Sequence, residues 1–201
     1  MLVAGIKSRP VYTGLTIQPN ARRHIFALEG EGAKALLDQQ PALDDTALSR
    51  SEILYVARGS QGSGLDEALR RLGADMFFTA PTIATLLFRL KGSLATAHMG
   101  TRLYISGTEG FIGQAMLLAL EYGMDHASVI TEHRGSLARR VQCVHCKGIT
   151  DDVTTSPFAC SHCGLPLLVR DHYSRRLAAF QGVNVDAEEP GSAPDPEELF
   201  L

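Results

Sequence analysis

Every cysteine of the chain falls between Cys143 and Cys163, in the stretch C-V-H-C-K-G-I-T-D-D-V-T-T-S-P-F-A-C-S-H-C. Two C-x-x-C pairs, Cys143 with Cys146 and Cys160 with Cys163, are separated by thirteen residues. A glycine follows each pair within two positions, Gly148 and Gly164. A C-x-x-C turn lets two sulfurs converge on one point, and glycine permits the positive φ needed where backbone N–H groups turn toward thiolates. Four thiolates brought together tetrahedrally make a closed, soft-donor site suited to zinc or to a single iron. Two disulfides would need an oxidising compartment, and no basic, apolar, small-residue signal pattern is read at the N-terminus. A thioredoxin-like redox pair would leave the second C-x-x-C unexplained. The doubled spacing therefore predicts a zinc ribbon over residues 136–185 with Cys143, Cys146, Cys160 and Cys163 as ligands. A single rubredoxin-like iron shares that spacing and stays open. His145 and His162 each precede the second cysteine of a pair; with four sulfurs filling a tetrahedron, both are expected on the surface or behind the ligands.

Ahead of the ribbon, apolar segments alternate in type. Strands are predicted at Arg23–Leu28, Glu52–Ala57, Asp75–Thr79, Thr101–Ser106 and Ala127–Thr131. Helices are predicted between them: Ala33–Leu37, a Leu65/Ala68/Leu69/Leu72 stripe capped by Ser63, Thr82–Leu90 with Pro81 in its first turn, and a segment capped by Thr108 and ended by Gly123. Five strands alternating with helices mean a parallel sheet covered on both faces, a Rossmann-like doubly wound α/β domain over residues 22–135. Residues 1–21 read as an irregular N-terminal segment punctuated by Pro10, Gly14 and Pro19, with β-like pieces such as Val11-Tyr12. Net charge is −3, unevenly spread: residues 186–201 carry six acids and no base, which leaves the rest of the chain at +3. That tail has the composition of a disordered segment, with Leu199, Phe200 and Leu201 as a candidate anchor at its apolar end. From His133 to Val185 there are seven Arg or Lys against three Asp. A mildly basic body does not imply nucleic acid, and no apolar run reaches the ~18 residues of a membrane span. With all cysteines in one metal motif, a cytoplasmic protein is expected. No catalytic arrangement of Ser, Cys, His and Asp is identifiable, so no catalytic residue is assigned.

Gly100–Gly113, with Ala57-Arg58, Leu65-Asp-Glu67 and Val129-Ile-Thr-Glu-His133, resembles the pyridine-nucleotide half of ferredoxin reductases over roughly residues 22–133. The family's G-P-x-G-F-like turn appears as Gly107-Thr-Glu-Gly-Phe111. Its phosphate loop, G-G-x-G-x-x-P, is replaced by Leu28-Glu-Gly-Glu-Gly-Ala33. A phosphate cradle works because bare N–H groups and a helix dipole face the anion. Glu29 and Glu31 put two negative charges there, with no basic replacement evident in sequence. No cofactor-binding residue is therefore assigned, and the nucleotide fold is expected to persist as a scaffold. The C-x4-C-x2-C spacing of a plant-type iron–sulfur domain is also absent.

The combination of this half-domain with C-V-H-C-K-G, C-S-H-C-G-L-P-L-L-V-R-D-H-Y-S-R-R and A-A-F-Q-G-V-N resembles the DmmA-type small subunits of bacterial dimethylamine monooxygenases, the heme-dependent oxidative N-demethylases. The resemblance implies membership of a cytoplasmic hetero-oligomer, an NADPH-dependent amine monooxygenase. Its partners would be a heme-containing oxygenase subunit and a flavin/iron–sulfur reductase subunit. Heme, FMN and a [2Fe–2S] cluster are expected only in those partners. This chain is expected to be a non-catalytic assembly subunit with a structural zinc, or alternatively an electron carrier between reductase and heme.

Overall fold

The computed structural model describes residues 8–59 and 64–201. The chain divides into two compact units: residues 12–135, and residues 136–201 together with the N-terminal stretch up to Val11.

In the first unit the predicted strands form one parallel sheet. Its members are β1 (Arg23–Glu29), β2 (Ser51–Val56), β3 (Met76–Ala80), β4 (Thr101–Gly107) and β5 (Val129–His133), in the order β3-β2-β1-β4-β5. The order reverses between β1 and β4, which pair in register from Arg23↔Thr101 to Leu28↔Ser106. All six residues of β2 are buried, the mark of a central strand covered on both faces. Alternate side chains then sort into two cores. Ile25, Ala27, Leu54, Leu103 and Ile105 pack with α4 (Ile83–Ala95) and α5 (Glu109–Glu121). Phe26, Leu28, Ile53, Tyr55 and Tyr104 pack with α1 (Gly32–Leu37), α2 (Asp45–Leu48) and α3 (Leu65–Arg71). This is the doubly wound arrangement that the alternation predicts.

The differences from the sequence reading have local causes. Helix α4 runs on past Leu90 to Ala95 because Ser93 and Leu94 are also buried, and the Ser93 hydroxyl donates to the buried Glu52. Pro81 sits outside this helix, ahead of its N-cap Thr82, whose side chain accepts from Thr85 N at 3.1 Å. Strand β5 starts two residues later than expected, after a 3₁₀ turn at His126–Ser128. Residues 12–21, read as irregular, form no strand but are built into this unit. Leu15 and Ile17 are buried, Leu15 N donates to Glu132 at 2.6 Å, and Gln18 N donates to the Tyr104 hydroxyl at 3.1 Å. The Ser63 cap and residues 1–7 lie outside the described residues.

The second unit is a sheet of order β7-β6-β11-β10-β9. Its strands are β6 (Arg139–Cys143), β7 (Ile149–Val153), β9 (Phe158–Ala159), β10 (Pro166–Ser174) and β11 (Ala179–Asn184), with β8 (Thr155–Ser156) between β7 and β9. Two chain ends join it. Ser8 N donates to Asp171 O at 3.0 Å, and the Ser8 hydroxyl bridges Tyr173 O and Tyr173 N. The acidic tail departs from its expected disorder at its far end. There β12 (Glu197–Glu198) pairs antiparallel with β8, Leu199 N and Phe200 N donate to Thr154 O, and Leu137 N donates to Leu201 O. The reason is Phe200, which packs into the core of Val141, Val153, Val169, Tyr173 and Phe180. Its ring and that of Phe180 flank the Arg139 guanidinium at 4.0 and 4.1 Å. Composition weighs the acids and gives disorder; the apolar end read as an anchor acts as one, through Phe200.

Candidate metal centre and the switch point of the sheet

The two cysteine pairs occupy equivalent turns. Cys143 ends β6, and Cys160 follows β9. In each turn the first cysteine donates its N–H to the carbonyl five residues on: Cys143 N to Gly148 O and Cys160 N to Leu165 O, both 2.9 Å. In each, the residue four positions on donates back to the cysteine carbonyl: Lys147 N to Cys143 O at 3.0 Å and Gly164 N to Cys160 O at 2.9 Å. That fourth residue has positive φ in both turns, 64° at Lys147 and 75° at Gly164. The glycines are thus not equivalent. Gly164 is needed for its backbone conformation, whereas in the first turn Lys147 takes that role. Gly148 is glycine because the His162 ring lies where its Cβ would be, 2.4 Å away. His162 Nε2 is 2.9 Å from Ile149 O, so this ring braces one turn against the other, as does Thr150 Oγ1 against Ser161 Oγ at 2.9 Å. His145 is exposed, and neither histidine belongs to the sulfur cluster.

The four sulfurs converge within 4.8 Å of one another, with Cys143–Cys163 at 3.9 Å and Cys146–Cys160 at 3.7 Å. A tetrahedron with metal–sulfur bonds of about 2.3 Å has sulfur–sulfur edges of about 3.8 Å, so two edges already have that length and the donor set could close on one soft cation with at most a small contraction. All four thiols are free of disulfides; Cys143 and Cys160 are buried, and Cys163 is exposed. The acidities of two of them are shifted in opposite directions. Burial pushes the Cys160 thiol up, but the N–H groups of Cys163 and His162 and the neighbouring thiols of Cys163 and Cys146 outweigh it, bringing it down to about 7. At Cys163 the Leu165 N–H favours the thiolate, yet burial and the thiols of Cys160, Cys146 and Cys143 push it up to about 12. A lowered thiol beside a raised one is what mutual repulsion between neighbouring thiolates gives, and a bound cation would relieve that repulsion.

At the switch point between β1 and β4, where folds of this topology take phosphates, this chain places its own carboxylate. Glu29, 2% exposed, accepts from Thr108 N at 2.8 Å and from the Thr108 hydroxyl at 2.7 Å on Oε2, and from Arg58 Nη1 at 2.8 Å on Oε1. Thr108 stands at the N-cap of α5 as expected, but its hydroxyl is turned to Glu29 rather than to the helix. The expectation of uncompensated repulsion is corrected: Arg58 neutralises Glu29, and Glu31 pairs with Lys34 at 2.7 Å. The surrounding glycines serve this pair. A Cβ at Gly107 would lie 2.7 Å from Glu29 Cβ, and one at Gly30 would lie 3.2 Å from Arg58 Cβ. The sequence carries no local sign of the Arg58 pairing, which depends on the in-register neighbourhood of β1 and β2 and joins residues 29 apart.

Among the described residues no helix is long and apolar enough to cross a membrane. Comparison with solved structures finds the full-length CYP116B46 of Tepidiphilus thermophilus at 17% identity and TM-score 0.44, covering 67% of this chain and 19% of that one. The flavohem-like FAD/NAD binding domain of a nitric oxide dioxygenase from Vibrio cholerae O1 biovar El Tor gives 16% and 0.44, over 63% and 56%. The fold class stands on the strand order itself. In sequence, the heme-dependent oxidative N-demethylase delta subunit of Ectopseudomonas mendocina (strain ymp) is 31% identical over 150 residues, 72% of this chain and 86% of that one. Residues 4–129 match the N-terminal domain and residues 140–183 the C-terminal domain of the family described as dimethylamine monooxygenase subunit DmmA-like. With both domains matched in order and the four cysteines inside the second, this chain belongs to the DmmA-like family of dimethylamine monooxygenase subunits.

Proposed function

We propose that the chain is a subunit of a multi-component dimethylamine monooxygenase, the oxidative N-demethylation of dimethylamine to methylamine and formaldehyde, and that its own part is assembly rather than catalysis. Membership of the DmmA-like family and the likeness to a demethylase delta subunit support the first half. The observation that carries the second is the Glu29 carboxylate, which fills the anion position of the switch point with its charge already balanced by Arg58. A nicotinamide cofactor would have to displace a buried ion pair and the two bonds to Thr108. The remaining surface is a preformed scaffold for a heme-containing oxygenase subunit and a flavin/iron–sulfur reductase subunit, which would hold the heme, FMN and [2Fe–2S] groups. Cys143, Cys146, Cys160 and Cys163 would hold zinc, which supplies folding free energy to the second unit.

The test is to purify the other subunits without this chain and measure amine-dependent NADPH oxidation. Activity is expected to fall with heme and flavin contents unchanged and the complex smaller; full activity in a complex of unchanged size overturns the reading. Calorimetric titration of NADH or NADPH into the isolated chain is expected to show nothing tighter than millimolar. A second reading, an electron carrier with a single iron, is favoured by one observation: Cys163 reaches the surface, where an electron would leave such a centre. Elemental analysis separates the two, because stoichiometric iron with reversible redox colour would replace zinc and promote the carrier.

A further inference from the structure

A cavity of about 440 Å³ opens at the N-terminal ends of β1, β2 and β3, the end of the sheet away from Glu29. Three arginines line it, Arg22, Arg23 and Arg50, together with the carboxylate residues Glu52 and Asp75. Arg23 is committed within the fold. It donates to the Glu52 carboxylate at 2.8 Å and to Thr96 O and Oγ1 at 3.3 and 3.0 Å, and Glu52, 5% exposed, also accepts from the Ser93 hydroxyl.

The other two have no carboxylate partner among the described residues. The Arg22 stem lies along Gly100 (φ +93°), where a Cβ would come within 3.0–3.2 Å of its Cγ, Cδ and Cβ, and Arg22 N donates to Gly100 O at 2.9 Å. Arg50 is fixed by Nε donating to Thr46 O at 3.0 Å. Among the described residues neither guanidinium pairs with a carboxylate; Asp75, on the cavity rim, bonds to neither. The charge of Arg50 is felt inside the domain, where it adds to burial in holding His24 below the ordinary histidine range. Two arginines with no carboxylate partner, lining one concavity whose buried carboxylate is already matched by Arg23, offer charged donors for an oxyanion.

We propose that this cavity binds a small oxyanion, a phosphoryl or carboxylate group, through the guanidiniums of Arg22 and Arg50. The usual anion position of such a sheet is closed by Glu29, so the proposed site lies at the opposite end and needs neither a glycine loop nor a helix N-terminus. It stands whether or not the assembly role above is correct, because its test uses the isolated full chain.

The experiment is an amide NMR titration with inorganic phosphate and with succinate, each against sodium chloride at matched ionic strength. Saturable shifts confined to Arg22, Arg50, Ser51, Thr96 and Gly100 are expected with the oxyanions and not with chloride. The double variant R22Q/R50Q is expected to weaken phosphate binding by on the order of tenfold or more, since charge-assisted bonds are lost. R50K, which keeps the charge but not the planar fork, should fall between. Both side chains are exposed, and their backbone bonds survive the substitutions. Preference for phosphate identifies a phosphoryl ligand, and equal response to succinate a carboxylate. Shifts that match those of chloride, or unchanged binding in the double variant, overturn the proposal; the wild-type titration decides alone where a variant fails to fold.

Discussion

Two residues show how far a motif and its physical reason can part. In C-V-H-C-K-G the glycine draws the eye, yet the strained backbone is at Lys147, with φ of 64°, and Gly148 is constrained by the His162 ring. A left-handed conformation costs a residue with a side chain about 1–2 kcal/mol, partly offset in a glycine replacement by the freer unfolded chain. Lys147→Gly is thus expected to range from neutral to about 1 kcal/mol stabilising, with the metal site intact. Gly148→Ala puts a methyl 2.4 Å from the imidazole, moving the ring off Ile149 O. It is expected to cost about 1–3 kcal/mol, as overpacking does. Denaturant midpoints of the metal-loaded chain check both; a stabilising Gly148→Ala would sink the steric argument. Glu29 is the second case. Glu29→Ala strands the Thr108 N–H and hydroxyl and removes the carboxylate that Arg58 pairs with. Because the Arg58 side chain is 36% exposed and can turn to water, the loss is set at about 2–3 kcal/mol, at the low end for a broken buried pair. An unchanged midpoint would mean that the carboxylate is dispensable.

At the scale of elements, the α/β sheet was legible, and of the tail only its apolar end was, not the strand it adds to, for one reason. Strands such as Glu52–Ala57 announce themselves by continuous apolar runs, and their helices by a local period and local caps. The shifts at strand and helix ends came from tertiary contacts, as with Ser93 reaching Glu52 from the last turns of α4. Segments whose order depends on one distant partner carry no local signal. Residues 12–18 are held by Glu132 and Tyr104, and residues 197–201 by Thr154, Leu137 and the Arg139 guanidinium. The tail is therefore a strap on the second unit with a single aromatic anchor. Phe200→Ala removes a cation–π partner of a buried arginine and part of a small core, and is expected to cost about 1–3 kcal/mol. Hydrogen exchange at Leu199, Phe200 and Thr155 should rise with it, whereas Leu199→Ala, at an exposed position, should change little. Equal effects from the two would show that the strap is held by its strand pairing alone.

At the scale of the whole molecule, the chain carries two cores that draw on different physics. The first unit buries two apolar layers against one sheet and needs nothing added. The second has a core of five buried residues, Val141, Val153, Val169, Tyr173 and Phe180, beside a cluster made of Cys143, Cys160 and Leu167. A core that small supports little stability alone, and a four-thiolate metal contributes on the order of 10 kcal/mol in comparable small sites. The cysteine spacing made the convergence of the four sulfurs readable from sequence. The equivalence of the two turns and the closing of the switch point were not readable, because both are relations between backbones far apart in the chain. Removing the metal with a chelator at neutral pH is therefore expected to expose the amides of residues 139–184 to rapid exchange. The amides of β1, β2 and β4 should keep their protection. Cys160→Ser should reproduce this pattern without a chelator, because three sulfurs leave the tetrahedron open. Heating the chelated chain should then give one cooperative transition, that of the α/β domain, at the temperature seen in the metal-loaded protein. Loss of protection in both units together would mean that they fold as one body, and retained protection in the second would mean that its hydrophobic core suffices without metal.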